Sequence, residues 1–495
     1  MMILKNLNQM KTMLMAFSLS ITVMAPIFAG QTTDYIPIAE LVGTVPNGDN
    51  TTNAFGSTVK LNGDWAFVAS PLAKPTGDIA AGVVYAYQKK CGVFDINNPQ
   101  IIELSGPSHH LGLLKTESQG DWLFLSCIGG PLEDPSSFKG AVLVYKLIKG
   151  IWTPVQTIDT TTVPQLADLV AISPNVSPFG SPYEFQQGAS FGISFGVDVN
   201  SGLMIVGAEN QSTDPNSVNQ GRAYAFRLVN NQWQYLATLQ NPEGLITNDG
   251  FGAQVALKGN LALISNGIIN QGPRVGNSKV YVYKFNKNKW QLVQTVKGTQ
   301  PTNQSTTLSF AVVPGFTVQV GDTFGSALAL NNDWAVIGAA YENLGTTTGK
   351  GAVYFYKVDP NKSQPLTFVQ KEVANDSNPL AQQFALTSVA VDGDTAVVSN
   401  VTASQGSTQF SGGAFVYKLK GNKWKYDTTL FDPLNTSAFI ALFSGSVDVQ
   451  GNTIIVGGGV QGLANVGLVG TPPILGSFPA QPDLLRAVIY TQCCD

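Results

Sequence analysis

Histidine is nearly missing from this chain: His109 and His110 are the only two in 495 residues. No His-x-x-x-His spacing and no nearby carboxylate pair accompanies them, so a solvated loop is their plainer reading and a metal or general-base role the sharper one. Cysteine is scarce too. Cys91, Cys127, Cys493 and Cys494 form no C-x-x-C spacing, so a structural zinc site is not indicated. Charged residues make up 12% of the chain, against a usual share of roughly 25%. Acidic groups outnumber basic ones by 32 to 28, which disfavours a phosphate-binding face and with it nucleic acid. Nucleophile elbows, phosphate-cradling glycine loops and dinucleotide fingerprints are missing as well. Beyond the N-terminal region no uninterrupted apolar span occurs. The most hydrophobic stretch, 453–476, is broken by Gly, Asn, Gln and a Pro pair, so stable membrane insertion is not expected.

The N-terminus carries Lys5 and Lys11, then the apolar run from Met13 to Met24, then Pro26 and a small-residue exit at Ala29. That order predicts a secretory signal over residues 1–29 and a mature domain over 30–495. The apolar core is short for a membrane anchor, which needs about 20 residues. Without the two signal lysines the balance is 26 basic against 32 acidic residues, a net charge of −6. The expected location is secreted or extracellular, with periplasmic and cell-surface placement as variants, and export would permit disulfides.

What the chain has in abundance is repetition, the signal to seek first. A short strand, a tight turn and a very apolar second strand recur seven times, starting at Phe55, Leu111, Phe195, Phe251, Phe324, Phe384 and Phe443. Phe191 and Gly192 offer a competing start for the third copy. A third strand follows each variable loop, from Gly82, Gly140, Gly221, Lys279, Gly351, Gly412 and Arg486. Its alternating apolar and polar residues indicate strand, not helix. A fourth strand runs from an aromatic to an aliphatic six residues later, as in Trp152 to Ile158, Trp233 to Leu239, Trp290 to Val296 and Trp424 to Leu430. The even spacing predicts both ends on one face of that strand. The last copy stops after its third strand, yet Tyr35 to Leu41 shows the same six-residue spacing. The expected fold is therefore all-β, a seven-bladed β-propeller of four-stranded antiparallel blades, closed by the N-terminal strand completing the last blade.

The Phe-Gly pairs at Phe55, Phe251 and Phe324, with the small exits at Val206 and Ile337, resemble FG-GAP repeats, the units of the integrin α-subunit propeller and of many exported bacterial proteins. The resemblance covers essentially the whole mature chain and implies the fold more strongly than any function. Integrin-type blades often carry an Asp-x-Asp-x-Asp-Gly calcium loop. Here the matching turns are NGD, QGD, KGN, NND, DGD and QGN, and the nearest approach, Asp198, Asn200 and Gly202, supplies too few oxygens for calcium. No metal and no cofactor is expected.

In such a fold the connections from strand two to three and from one blade to the next share a face, and here those are the long ones. The insertions from Thr161 and Lys297 make this the expected binding face. Phe179, Tyr183 and Phe185 in the first and Phe310 and Phe316 in the second are candidate ligand anchors, alternatively a satellite core over their own loops. His109 and His110 fall on the same face. No catalytic residue is assigned. Three functions follow: a recognition or adhesion module for an extracellular protein or glycan, expected as a monomer; a propeller enzyme acting on polysaccharide through carboxylates such as Glu133, Asp134, Asp168, Glu184 and Glu342; or a structural part of a surface assembly. Cys91 and Cys493 or Cys494 could bridge the ring closure, the alternatives being a Cys493 to Cys494 bond or free thiols. Cys127 reads as packing.

Overall fold

Runs of alternating apolar residues separated by tight turns leave each sheet with two apolar faces, which only neighbouring sheets can cover. The computed structural model resolves this by placing seven sheets in a ring. It describes residues 35–41, 55–71, 73, 82–103, 115–127, 139–167, 169, 190–212, 220–246, 249–266, 278–299, 306–309, 317–320, 322–343, 349–374, 384–385, 387–405, 411–433, 443–458 and 486–492. Blades 1 to 6 follow one another along the chain, each antiparallel and sequential from inner to outer strand. Blade 1 adds a short strand, Val93–Phe94, before its outer strand Gln100–Glu103. In blade 7 the order is Ser446–Gln450, Thr453–Gly457, Ala487–Gln492 and then Tyr35–Leu41, so the N-terminal strand supplies the outer edge. The ring closes as the sequence predicts.

Each junction between blades is its own hydrophobic core, giving seven cores in place of one. Between blades 1 and 2 the Trp152 ring lies T-shaped to Trp65 and Phe67 at ring-centroid distances of 5.6 and 5.3 Å. The same arrangement recurs between blades 2 and 3, where Trp233 meets Trp122 and Phe124.

The outer strands depart from the expected register. A bulge leaves one residue unpaired in each of six of them: Ile38, Val155, Leu236, Val293, Val369 and Asp427. An extra residue reverses the alternation of side chains. Trp152 therefore packs toward blade 1 and Ile158 toward blade 3, on opposite faces of one strand. The six-residue spacing thus marks a strand that pins both neighbours.

A second correction concerns the third repeat. Gly140 bridges to Phe191 as Gly221 bridges to Phe251, and Gly192 takes φ +89°, beside +88° at Gly56 and +95° at Gly252. Phe191 and Gly192 are the true equivalents, while Phe195 begins the inner strand.

Polar side chains also tie blade to blade. The inner edge of each blade would leave backbone N–H groups unpaired. Ser446 Oγ and Asp448 Oδ2 accept from Val59 and Leu61 at 3.1 and 2.8 Å, and Ser194 Oγ accepts from Val255 at 2.9 Å. On the outer strands a glutamine clasps both backbone groups of one residue in the next blade. Gln100 holds Trp152, Gln156 holds Trp233, Gln294 holds Leu366 and Gln370 holds Trp424, all at 2.7–2.9 Å.

Candidate functional site

The two faces of the disk are built from different turn chemistry. On one face the hairpins are tight: Asn230-Asn231 and Lys287-Asn288 both lie in the left-handed region, with φ between 48° and 61°, as two-residue hairpins of this twist require. The long connections belong to the opposite face. One of them, between blades 4 and 5, carries a separate hairpin of Thr306–Ser309 paired with Thr317–Val320. Phe179, Tyr183, Phe185, Phe310, Phe316, His109 and His110 lie outside the described residues, as do Glu133, Asp134, Asp168 and Glu184.

Glu342 is described, and the fold gathers other polar groups around it at the junction of blades 4 and 5. It is buried just beyond the second strand of blade 5, Trp334–Ala339. Its Oε1 accepts from Thr299 Oγ1 and Lys371 Nζ, both at 3.0 Å, and its Oε2 from the Tyr354 hydroxyl at 2.5 Å. Thr299 N also donates to the Tyr354 oxygen at 2.9 Å. Burial and the hydrogen bond to Glu342 push the Tyr354 hydroxyl well above the usual tyrosine range. With both oxygens engaged, Glu342 is a fixing point for the start of the insertion.

Asp322 closes the other end of that insertion and is fully buried. Its Oδ1 accepts from the backbone N–H of Ser278 and of Phe324, each at 3.3 Å. Its Oδ2 has no hydrogen-bond partner among the described residues. That oxygen would stand 2.5 Å from a β-carbon on Gly298, so a larger residue there would have to displace the Asp322 carboxyl. Burial, with the Glu342 charge adding to it, raises the Asp322 carboxyl to about 6. Sequence reasoning named Glu342 but missed Asp322, Thr299, Tyr354 and Lys371. One signal was present: Asp249 and Asp322 each stand two residues before a Phe-Gly pair.

A further polar feature among the described residues is the central channel, a cavity of about 250 Å³ lined by the inner strands of all seven blades. Lys60 Nζ lies 3.2 Å from both Glu117 and Asp448, and Lys115 pairs with Glu117 at 2.8 Å. Asp198 pairs with Lys258 at 3.3 Å and accepts from Gly259 N and Ser201 N. These carboxylates join blades, and Asp198 spends Oδ1 on its own hairpin and Oδ2 on the hairpin of blade 4. Cys127 is buried in the core between blades 1 and 2, as its packing role requires. Cys91 is an exposed free thiol, and Cys493 and Cys494 lie outside the described residues.

A family model described as FG-GAP repeat matches residues 318–356, which span the end of the insertion and the first three strands of blade 5. No curated protein matches the chain in sequence. Among solved structures, the polysaccharide lyase Uly1 is similar at 11% identity over 95% of this chain and 94% of its own, with a TM-score of 0.47. A protein described as a 6-phosphogluconolactonase from Bacteroides uniformis is similar at 9% identity over 76% and 85%, with a TM-score of 0.43. The β-propeller domain of the Trilobed protease from Pyrococcus furiosus is similar at 9% identity over 69% and 76%, with a TM-score of 0.35. At such identities no substrate transfers to this chain.

Proposed function

Because this chain is an FG-GAP repeat β-propeller protein, we propose that it is a recognition module whose loop-rich face engages an extracellular protein or glycan. The observation that carries this reading is the asymmetry of the disk. One face is closed by tight hairpins, while the other holds the long connections, the extra hairpin of residues 306–309 and 317–320, and a buried polar cluster that anchors the stem of the insertion. A rigid ring that presents variable loops on one side suits binding by loop variation. The aromatic residues Phe179, Tyr183, Phe185, Phe310 and Phe316 are the proposed anchors, with His109 and His110 on the same face. The N-terminal signal pattern supports an extracellular setting. Among the described residues no helix is long and apolar enough to cross a membrane.

Binding screens of the domain against matrix proteins and glycan arrays test the proposal, with the 161–190 and 298–321 connections shortened in turn. Loss of binding with either shortening supports the loop-rich face. Binding that survives both moves the site to the plain face or the blade edges. The enzymatic reading makes a different demand: polysaccharide incubated with the protein must gain chain ends, and substitution of Glu342 must abolish that gain.

A further inference from the structure

We propose that the stem of the connection between blades 4 and 5 is an acid-closed latch, which proton uptake by Asp322 tightens and proton loss loosens. The inference does not depend on the recognition role. Both ends of the connection meet at this point, Gly298 and Thr299 at its start and Asp322 at its end.

The matching position one blade earlier shows what is unusual. Asp249 is buried like Asp322, but Asn241 Nδ2 donates to its Oδ2 at 2.5 Å and Asn266 Nδ2 to its Oδ1 at 2.8 Å. Two amides thus cap the carboxylate. Counted from the apolar ends of the strands, Asn241 lies two residues after Leu239 and Gly298 two after Val296, while Asn266 lies two after Ile264 and Ala339 two after Ile337. Glycine and alanine therefore occupy the places of both amide donors, and Asp322 Oδ2 is left bare.

The groups around Asp322 fix the sign. Blade 5 presents Glu342, Tyr354 and Lys371, with Lys371 already bound to Glu342 at 3.0 Å. The blade 4 side presents the Ser278 N–H and the α-carbon of Gly298. An ionised Asp322 thus holds an unpartnered charge, out of water, near a second carboxylate. The protonated carboxyl carries no such charge and keeps its backbone bonds. In the opened stem the carboxyl meets water and titrates in its ordinary range near 3.9. With the closed-state value near 6, opening becomes about tenfold more favourable at pH 7.5 than at pH 5.

Backbone hydrogen exchange tests this. Thr299 and Phe324, whose N–H groups bond Tyr354 and Asp322, should lose about tenfold in protection between pH 5 and pH 7.5 once intrinsic exchange is corrected. Blade-interior amides such as that of Val336 serve as the reference. Asp322→Asn, isosteric and uncharged, should give equal protection at both pH values. Ala339→Asn, which returns an amide to the position of Asn266, should shrink the change. Wild-type protection that is the same at both pH values overturns the latch, as does a tenfold change that persists in Asp322→Asn.

Discussion

Gly207 and Gly252 meet across the junction of blades 3 and 4 so closely that a β-carbon on Gly207 would stand 1.9 Å from the Gly252 carbonyl oxygen. The same approach recurs where Gly338 meets Ala385 and where Gly457 meets Gly56, at 2.3 and 2.2 Å. The repeat motif thereby gains a physical meaning. The glycine at or next to the end of the second strand of one blade receives the turn that follows the Phe of the next, so the motif is an interlock between blades. Gly207→Ala should destabilise the domain by about 3 kcal/mol, since backbone rather than a flexible side chain must yield. Gly120→Ala is the control. Nothing lies within 4 Å of its would-be β-carbon, and only its positive φ of 60° costs, about 1 kcal/mol. Urea unfolding of the two variants measures the difference, and equal losses would remove the interlock.

The outer glutamine clasps make a second prediction. Gln370→Ala removes two hydrogen bonds to Trp424 and should cost about 2 kcal/mol. Gln156→Ala, which frees Trp233, should cost a similar amount. The two lie in different junctions and share no partner, so the double variant should show the sum. Chemical denaturation of the single and double variants checks this, and a double variant no worse than either single one would contradict it.

Much of the ring was legible because apolar alternation and turn residues repeat along the chain. The pairing of Tyr35–Leu41 with Ala487–Gln492 could be read from a missing fourth strand at one end and a spare one at the other. The bulges were not legible, since pairing register depends on two strands and spacing reports only one. The spacing alone implies one face for Trp152 and Ile158, which serve two cores. Phe191 and Phe195 stand four positions apart and each begins a Phe-Gly pair, so it takes the bridge from Gly140 and the positive φ of Gly192 to distinguish them. The bare oxygen of Asp322 depends on what Gly298 and Ala339 lack, which becomes visible only when blade 4 is laid beside blade 5.

The channel predicts an acid limb to stability. Burial works to raise the Glu117 carboxyl, but Lys115 and Lys60 outweigh it and hold it down at about 2. A carboxyl depressed in the folded state contributes stability that is fully present above its unfolded value, near 4.3, and is lost as pH falls toward 2. Both partners are partly open to the channel, which reduces the expected loss to on the order of 2 kcal/mol. Thermal unfolding from pH 5 down to pH 2 should show this decline in the wild type and a shallower one in Glu117→Gln. Parallel declines would assign the acid sensitivity to other groups.

Closure of the ring supplies the last prediction. Arg486, at the start of the last strand, pairs with Glu40 of the N-terminal strand and with Asp432 of blade 6 at 3.2 Å, while Tyr35 and Leu41 are buried in the cores on either side of blade 7. Removing residues 1–41 would strip the outer strand from that blade, expose the backbone edge of Ala487–Gln492 and open two hydrophobic cores at once. The truncated chain should therefore self-associate or unfold, because a bare strand edge beside an open core is a template for pairing. Adding a peptide of the 35–41 sequence in trans should restore part of the monomer, since the missing contacts are backbone pairing and two buried side chains. Size-exclusion chromatography with light scattering distinguishes the outcomes. A truncated chain that stays monomeric with an unchanged melting temperature would mean that the other six blades hold the ring without its seam.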